Sequence, residues 1–248
     1  MSGNTHNQAS IGRDGIINQD SSGDVHQSFN ASERSDRSDR SDTVAAAEQL
    51  KRNSLLEAAA REQAEMDRSI FVVYGRDDAV NNAVFELLRR LDLKPLEWES
   101  LVRGSKGGMT PMLSDVVINA PKLASAAVVI LTPDDMVMLH PELRKPREDA
   151  FELHPNLQPR PNVLLELGLV LGVYPERTLV LEFGERRPIA DINGLNSVWF
   201  HHATNLVDAL RKIAGRLQEV GLPVDDAGSQ WLDPRPFENL RAYRRRPA

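Results

Sequence analysis

Ile70-Phe71-Val72-Val73-Tyr74 is an unbroken apolar run, the pattern of a strand buried on both faces. Gly75-Arg76-Asp77-Asp78 follows as a turn that ends in a helix cap. Val80, Val84, Leu87, Leu88 and Leu91 then recur at spacings of four, three, one and three, which is one face of an amphipathic helix. The pattern next predicts a short strand near Lys94 to Trp98, a Gly-rich loop over Arg103 to Gly108 and a helix over about 110–120. Ala124 to Leu131 reads as the second central strand. A long polar segment, 132–161, carries many Pro, Asp, Glu and His. A helix is expected from Asn162, its cap, to about Gly172. Arg177 to Glu182 and Ser197 to Phe200 read as two more strands. Leu206, Leu210, Ile213, Ala214 and Leu217 mark a closing helix. Strands alternating with helices predict an α/β fold, a parallel sheet covered on both faces. Ligands in such folds bind at the carboxyl ends of the strands, here loops 75–78, 99–109, 132–161 and 183–196.

The flanks have a different character. Residues 1–42 are polar, and Arg-Ser-Asp occurs three times between Arg34 and Asp42. Such composition cannot bury a core, so a disordered or low-complexity tail is expected. Ile11, Ile16, Ile17, Val25 and Phe29 punctuate it and leave open short strands that stack between copies. Residues 43–68 read as a linker or self-association helix with a thin apolar stripe. Residues 221–248 read as a C-terminal tail, solvated through Arg241, Arg244, Arg245 and Arg246. The 69–220 stretch between them is the folded domain.

The net charge of −6 gives no overall attraction to nucleic acid or anionic lipid. With no cysteine in 248 residues, disulfides, thiol catalysis and Cys-based zinc sites are excluded. No signal peptide and no stretch of about 18 apolar residues is present, so a soluble cytoplasmic protein without a membrane partner is expected. The histidines show no metal-ligand spacing, and no metal site is expected. Neither a Gly-x-Ser-x-Gly elbow nor a P-loop occurs.

One residue stands out chemically. Val163 to Leu171 is apolar nearly all round, which predicts a buried helix, and Glu166 is its only charge. Burying an unpaired carboxylate costs several kcal/mol or keeps the group protonated. Two readings fit. Glu166 is neutralised by an arginine such as Arg76 or Arg160, or it faces a ligand cleft. Its place near the start of the helix, on the loop side of the sheet, suits the second.

Four segments in this order resemble a known family. Tyr74-Gly75-Arg76-Asp77-Asp78 resembles the His-Gly-Arg-Asp-Glu opening of bacterial TIR-like domains. Leu131-Thr132-Pro133-Asp134-Asp135 resembles their Leu-Thr-Pro-Asp-Asp, and Asn162-Val163-Leu164-Leu165-Glu166-Leu167-Gly168 resembles their Asn-Val-Ile-Phe-Glu-Leu-Gly. Asp191-Ile192-Asn193-Gly194-Leu195 resembles their late Asp-Leu-x-Gly-Leu. The similarity covers about 70–218 and is to TIR domains of antiphage effectors of the CBASS and Pycsar type. It implies a flavodoxin-like fold and hydrolysis of NAD, a substrate and not a cofactor, at the nicotinamide–ribose bond, with Glu166 as catalytic carboxylate. Tyr74, Gly75, Arg76, Asp77, Asp134, Arg160 and Asn162 are the expected substrate-binding residues. It further implies homo-oligomers formed through TIR–TIR contacts, an upstream sensor or signal, and loss of NAD as the antiphage effect. Tyr74 departs from the usual His, and the segment 136–160, with Arg144, Lys145 and Arg147, is longer than the resemblance leads one to expect. Residues 1–68 are too short and polar for a cyclic-nucleotide sensor domain.

The chemistry of the bond agrees. The nicotinamide of NAD is already cationic and leaves as a neutral base, so no general acid is required. Positive charge grows on the ribose instead, and one carboxylate against that sugar stabilises it. Arg76 and the amides of Gly75 to Asp78 are placed to hold the diphosphate at a helix N-terminus, unless Arg76 is engaged by Asp134 or Asp135. The competing classes are a non-catalytic TIR nucleotide-binding or adaptor module acting by self-association and an enzyme acting on free nucleotides.

Overall fold

The computed structural model describes residues 48–97, 102–103, 113–119, 123–192 and 194–247. The polar tail 1–42, the glycines of the loop 104–108 and Asn193 lie outside the described residues. The chain divides into two units, Met1–Ala58 and Ala59–Ala248. The described part of the first, residues 48–58, is helical and exposed throughout, Leu50, Leu55 and Leu56 included.

The second unit opens with helical residues 59–68. Strand β1 (Ser69–Val73), helix α1 (Asp78–Arg90) and strand β2 (Lys94–Leu96) follow. Then come α2 (Leu113–Asn119), β3 (Ala126–Leu131), β4 (Asp135–Val137), α3 (Ala150–Leu153) and β5 (Asn156–Gln158). Helix α4 (Pro161–Val173), β6 (Thr178–Phe183), β7 (Val198–Phe200) and α5 (Leu206–Glu219) complete the regular elements. Five strands form one parallel sheet in the order β2-β1-β3-β6-β7. This is the α/β arrangement that the alternating pattern predicts.

Side-chain alternation along the strands sorts two cores. Ile70, Val72, Val128, Ile130 and Leu181 point to one face and pack with Val84, Leu88, Leu210 and Ile213 of α1 and α5. Phe71, Val73, Val129 and Leu131 point to the other and pack with Val163, Leu167 and Val170 of α4. Central strands buried on both faces explain the continuous apolar runs. Chain direction across the sheet reverses between β1 and β3, because β2 lies outside β1 and later strands lie outside β3. That reversal opens a crevice beyond the carboxyl ends of β1 and β3.

Four expectations need correction. The cap of helix α4 lies two residues earlier than the pattern suggests: Arg160 is its N-cap residue and Pro161 its first helical residue, so Asn162 is inside the helix and exposed. Pro at this position needs no amide partner and has the right φ already. Nor is α4 buried all round. Only Val163, Leu167 and Val170 are fully buried, whereas Leu165 is 56% exposed and Gly168 and Gly172 are open. The polar segment is not a plain loop either: β4 and β5 pair antiparallel, with Met136 opposite Leu157.

The largest correction concerns residues 221–247. They form no solvated tail. Trp231, Phe237, Leu240, Ala242 and Tyr243 are buried in the α1–α5 core. Phe237 stacks with Phe183 and Phe200, ring centroids 6.5 Å and 5.4 Å away. The Tyr243 hydroxyl donates to the Phe237 carbonyl at 2.8 Å. This strap passes the carboxyl end of β6 at Gly184 so closely that a Cβ there would overlap the Ala242 carbonyl oxygen. Gly184 also has φ +71°, so glycine is required twice over.

Candidate active site

The loops after β1 and β3 meet in the crevice. Asp77 caps α1, its Oδ1 accepting from the Val80 amide at 3.2 Å. Asp134 reaches across from the β3 loop, and its Oδ2 accepts from the Arg76 amide at 2.9 Å. Gly75 has to be glycine here, because a Cβ would overlap the Asp134 carboxylate. Its carbonyl also accepts from Asn81 Nδ2 at 3.0 Å. The side chains of Asp77 and Asp134 are only 6% and 5% exposed. Both meet Arg245 of the strap: Nη2 lies 2.8 Å from Asp77 Oδ2 and Nη1 lies 3.6 Å from Asp134 Oδ1.

These contacts change the expected role of the turn. The amides of Arg76, Asp78 and Val80 already have acceptors, namely Asp134 Oδ2, the Arg76 carbonyl and Asp77 Oδ1. They are not free to wrap an anion. The Arg76 guanidinium remains available: it is exposed and makes no ion pair among the described residues. Arg160, the other arginine considered for Glu166, instead pairs with Asp135 at 3.4 Å.

Glu166 therefore has neither arginine. Among the described residues it makes no hydrogen bond and no ion pair. It is half-buried on α4, and loss of hydration raises its pKa above the ordinary glutamate value. Its charge is close enough to Tyr74 to bear on that hydroxyl. The phenol pKa is raised first by burial, then by Glu97, Asp78 and Glu166. The Tyr74 ring is held edge-on to Phe85 with centroids 5.4 Å apart. Its hydroxyl reaches Glu97 Oε2 at 3.4 Å, a long contact for a hydroxyl. Tyr74 thus spans the end of β1 and the start of the loop after β2, with the carboxylate of α4 near it.

Beyond β6 and β7 a cavity of about 260 Å³ is lined by Glu182, Arg186, Ile192, Leu195, Ser197 and Trp199. Ser197 Oγ donates to Glu182 Oε1 at 2.5 Å, and Arg186 pairs with the other oxygen of Glu182. Trp199 is exposed and fixed through Nε1 to the Gly184 carbonyl at 2.9 Å. Among the described residues no group of three or more His, Asp or Glu side chains is arranged for a metal ion. No helix among them is long and apolar enough to cross a membrane.

A strand-order reversal, a Gly-Arg-Asp turn at the end of β1 and a half-buried carboxylate on α4 are shared ground for comparison with a family. The family model described as "CAP12/Pycsar effector protein, TIR domain" matches residues 69–202. The chain belongs to this family. Comparison with curated proteins returned no match. Membership supports an antiphage effector role for this TIR domain. The matched residues take in the Gly75–Asp77 turn, Asp134, Arg160, Asn162 and Glu166; Arg245 lies outside them. Arg245 is also what sequence reading missed. An arginine in a basic run carries no signal of a buried acidic partner 168 positions away.

Proposed function

We propose that this TIR domain hydrolyses NAD at the nicotinamide–ribose bond and that Glu166 is the carboxylate that stabilises the cationic ribose. The observation that carries the proposal is a half-buried acid with no ion pair among the described residues, on the helix whose start borders the crevice. A structural acid in such a place acquires an arginine; of the two that sequence offered, Arg160 pairs with Asp135 and Arg76 makes no ion pair among the described residues. A sugar gaining positive charge is the counter-ion that fits. Desolvation strengthens that attraction, since few waters compete for the carboxylate. Arg76 holds the diphosphate through its free guanidinium, and Tyr74 forms a wall of the site. Nicotinamide leaves as a neutral molecule, water adds to the ribose C1′, and the water's proton passes to solvent, giving ADP-ribose.

An upstream signal promotes assembly of the domain, and the consequent loss of NAD is the antiphage effect. Purified protein releases nicotinamide from NAD, and its specific activity rises with protein concentration. Glu166→Gln lowers that release by about a hundredfold or more, with the fold intact by circular dichroism. Full activity in this variant rejects the proposal. A second reading, a TIR module that acts by self-association alone, is favoured by the open apolar face of α4 at Leu165, Gly168 and Gly172. Concentration-dependent self-association with no nicotinamide release from the wild-type protein would decide for it.

A further inference from the structure

We infer that Arg245, outside the family-matched residues, is a positioning residue for the Gly75–Asp77 turn, so that the C-terminal strap is part of the substrate site; the inference rests on the reading of that turn as the holder of the NAD diphosphate.

Two aspartates with almost no exposed side-chain surface sit side by side in the crevice. Unpaired, each would be costly to bury, and together they would repel. A single guanidinium serves both. Arg245 Nη2 donates to Asp77 Oδ2 at 2.8 Å, while Nη1 donates to the Pro133 carbonyl at 3.1 Å and faces Asp134 Oδ1. The other oxygens of the same carboxylates hold the turn: Asp77 Oδ1 binds the Val80 amide and Asp134 Oδ2 binds the Arg76 amide. Arg245 thus fixes the two acids that fix the backbone on both sides of Arg76. Lysine cannot copy this, because a point ammonium lacks the planar fork that spans two loops.

Charge adds to geometry. With Arg245 present, Asp77 and Asp134 are balanced by Arg245 and Arg76. Without it, the turn that meets an anionic diphosphate carries an excess negative charge, which opposes binding but is remote from the ribose chemistry. The defect belongs in KM rather than in kcat. The strap is anchored independently by Trp231, Phe237 and Tyr243, so the loss of one guanidinium need not release it.

Arg245→Gln and Arg245→Lys are compared with wild type by NAD hydrolysis kinetics and by hydrogen–deuterium exchange. For Arg245→Gln we expect KM to rise about tenfold with kcat within about twofold, and Arg245→Lys to fall between it and wild type. The Arg76 amide should exchange faster in both variants, while amides of β6 and α5 keep their protection. Wild-type KM and wild-type exchange at Arg76 in Arg245→Gln overturn the inference. So does a lowered KM, which would make the strap an inhibitory contact, or a loss confined to kcat. If wild type does not cleave NAD, the functional reading fails, and exchange at Arg76 alone decides whether Arg245 positions the turn.

Discussion

At the scale of single residues, Glu166 and Gly75 make opposite demands. Glu166 needs water kept away and is raised in pKa by that burial. The folded state therefore holds the proton more tightly than the unfolded chain, whose value is near the ordinary 4.5. Between those two values the folded state binds more protons, so stability falls as pH rises through them. Glu166→Gln removes this loss. Its melting temperature should match wild type near pH 4 and exceed it by a margin that grows only while pH rises through the interval between those two values and is constant above it, as followed by calorimetry across pH. Under the proposed function the sign is reversed for catalysis, because that reading makes the ionised carboxylate the working form. The acid limb of kcat/KM should lie above 4.5, displaced in the direction of the raised pKa. Gly75 needs only an absence of atoms. Gly75→Ala pushes against the Asp134 carboxylate, frees the Arg76 amide, and should cost about 2 kcal/mol in urea unfolding together with a weaker affinity for NAD.

At the scale of elements, the aromatic stack of the strap offers a test. Phe237 is 1% exposed and packs against the stacked pair of Phe183 and Phe200. Phe237→Ala should destabilise the domain by about 3–5 kcal/mol and lower its melting temperature by roughly 6–15 °C. If residues 221–247 were an independent tail, the change would be negligible. Elements also differ in how far sequence reveals them. The strands β1, β3 and β6 and the helices α1 and α5 are legible because burial on one or two faces imposes a strict period. Glu166 is legible because one charge interrupts an apolar helix. The strap is not, since its buried groups, Trp231, Phe237, Leu240, Ala242 and Tyr243, follow no period and sit in or beside single turns of helix. The β4–β5 arm is missed for a similar reason: three-residue strands carry too little alternation to rise above a polar background. The boundary of α4 is misread because Asn is the better cap by type, whereas Pro161 sets the start by its fixed φ.

At the scale of the whole second unit, strap and sheet meet at Gly184, where the peptide of Ala242 lies against the end of β6. Gly184→Ala should displace the strap without touching the crevice directly. It should lower the melting temperature, raise KM for NAD in the direction expected of Arg245→Gln, and leave self-association as in wild type; unaltered KM in a folded variant would separate the strap from the site.

The 168 positions between Asp77 and Arg245 also have a meaning in time. A ribosome adds residues at about 5–20 per second, so the two emerge roughly 8–34 s apart. Throughout that interval the nascent turn lacks the guanidinium that bridges its two acids in the folded protein. The crevice thus takes its final electrostatic form only after synthesis has passed residue 245.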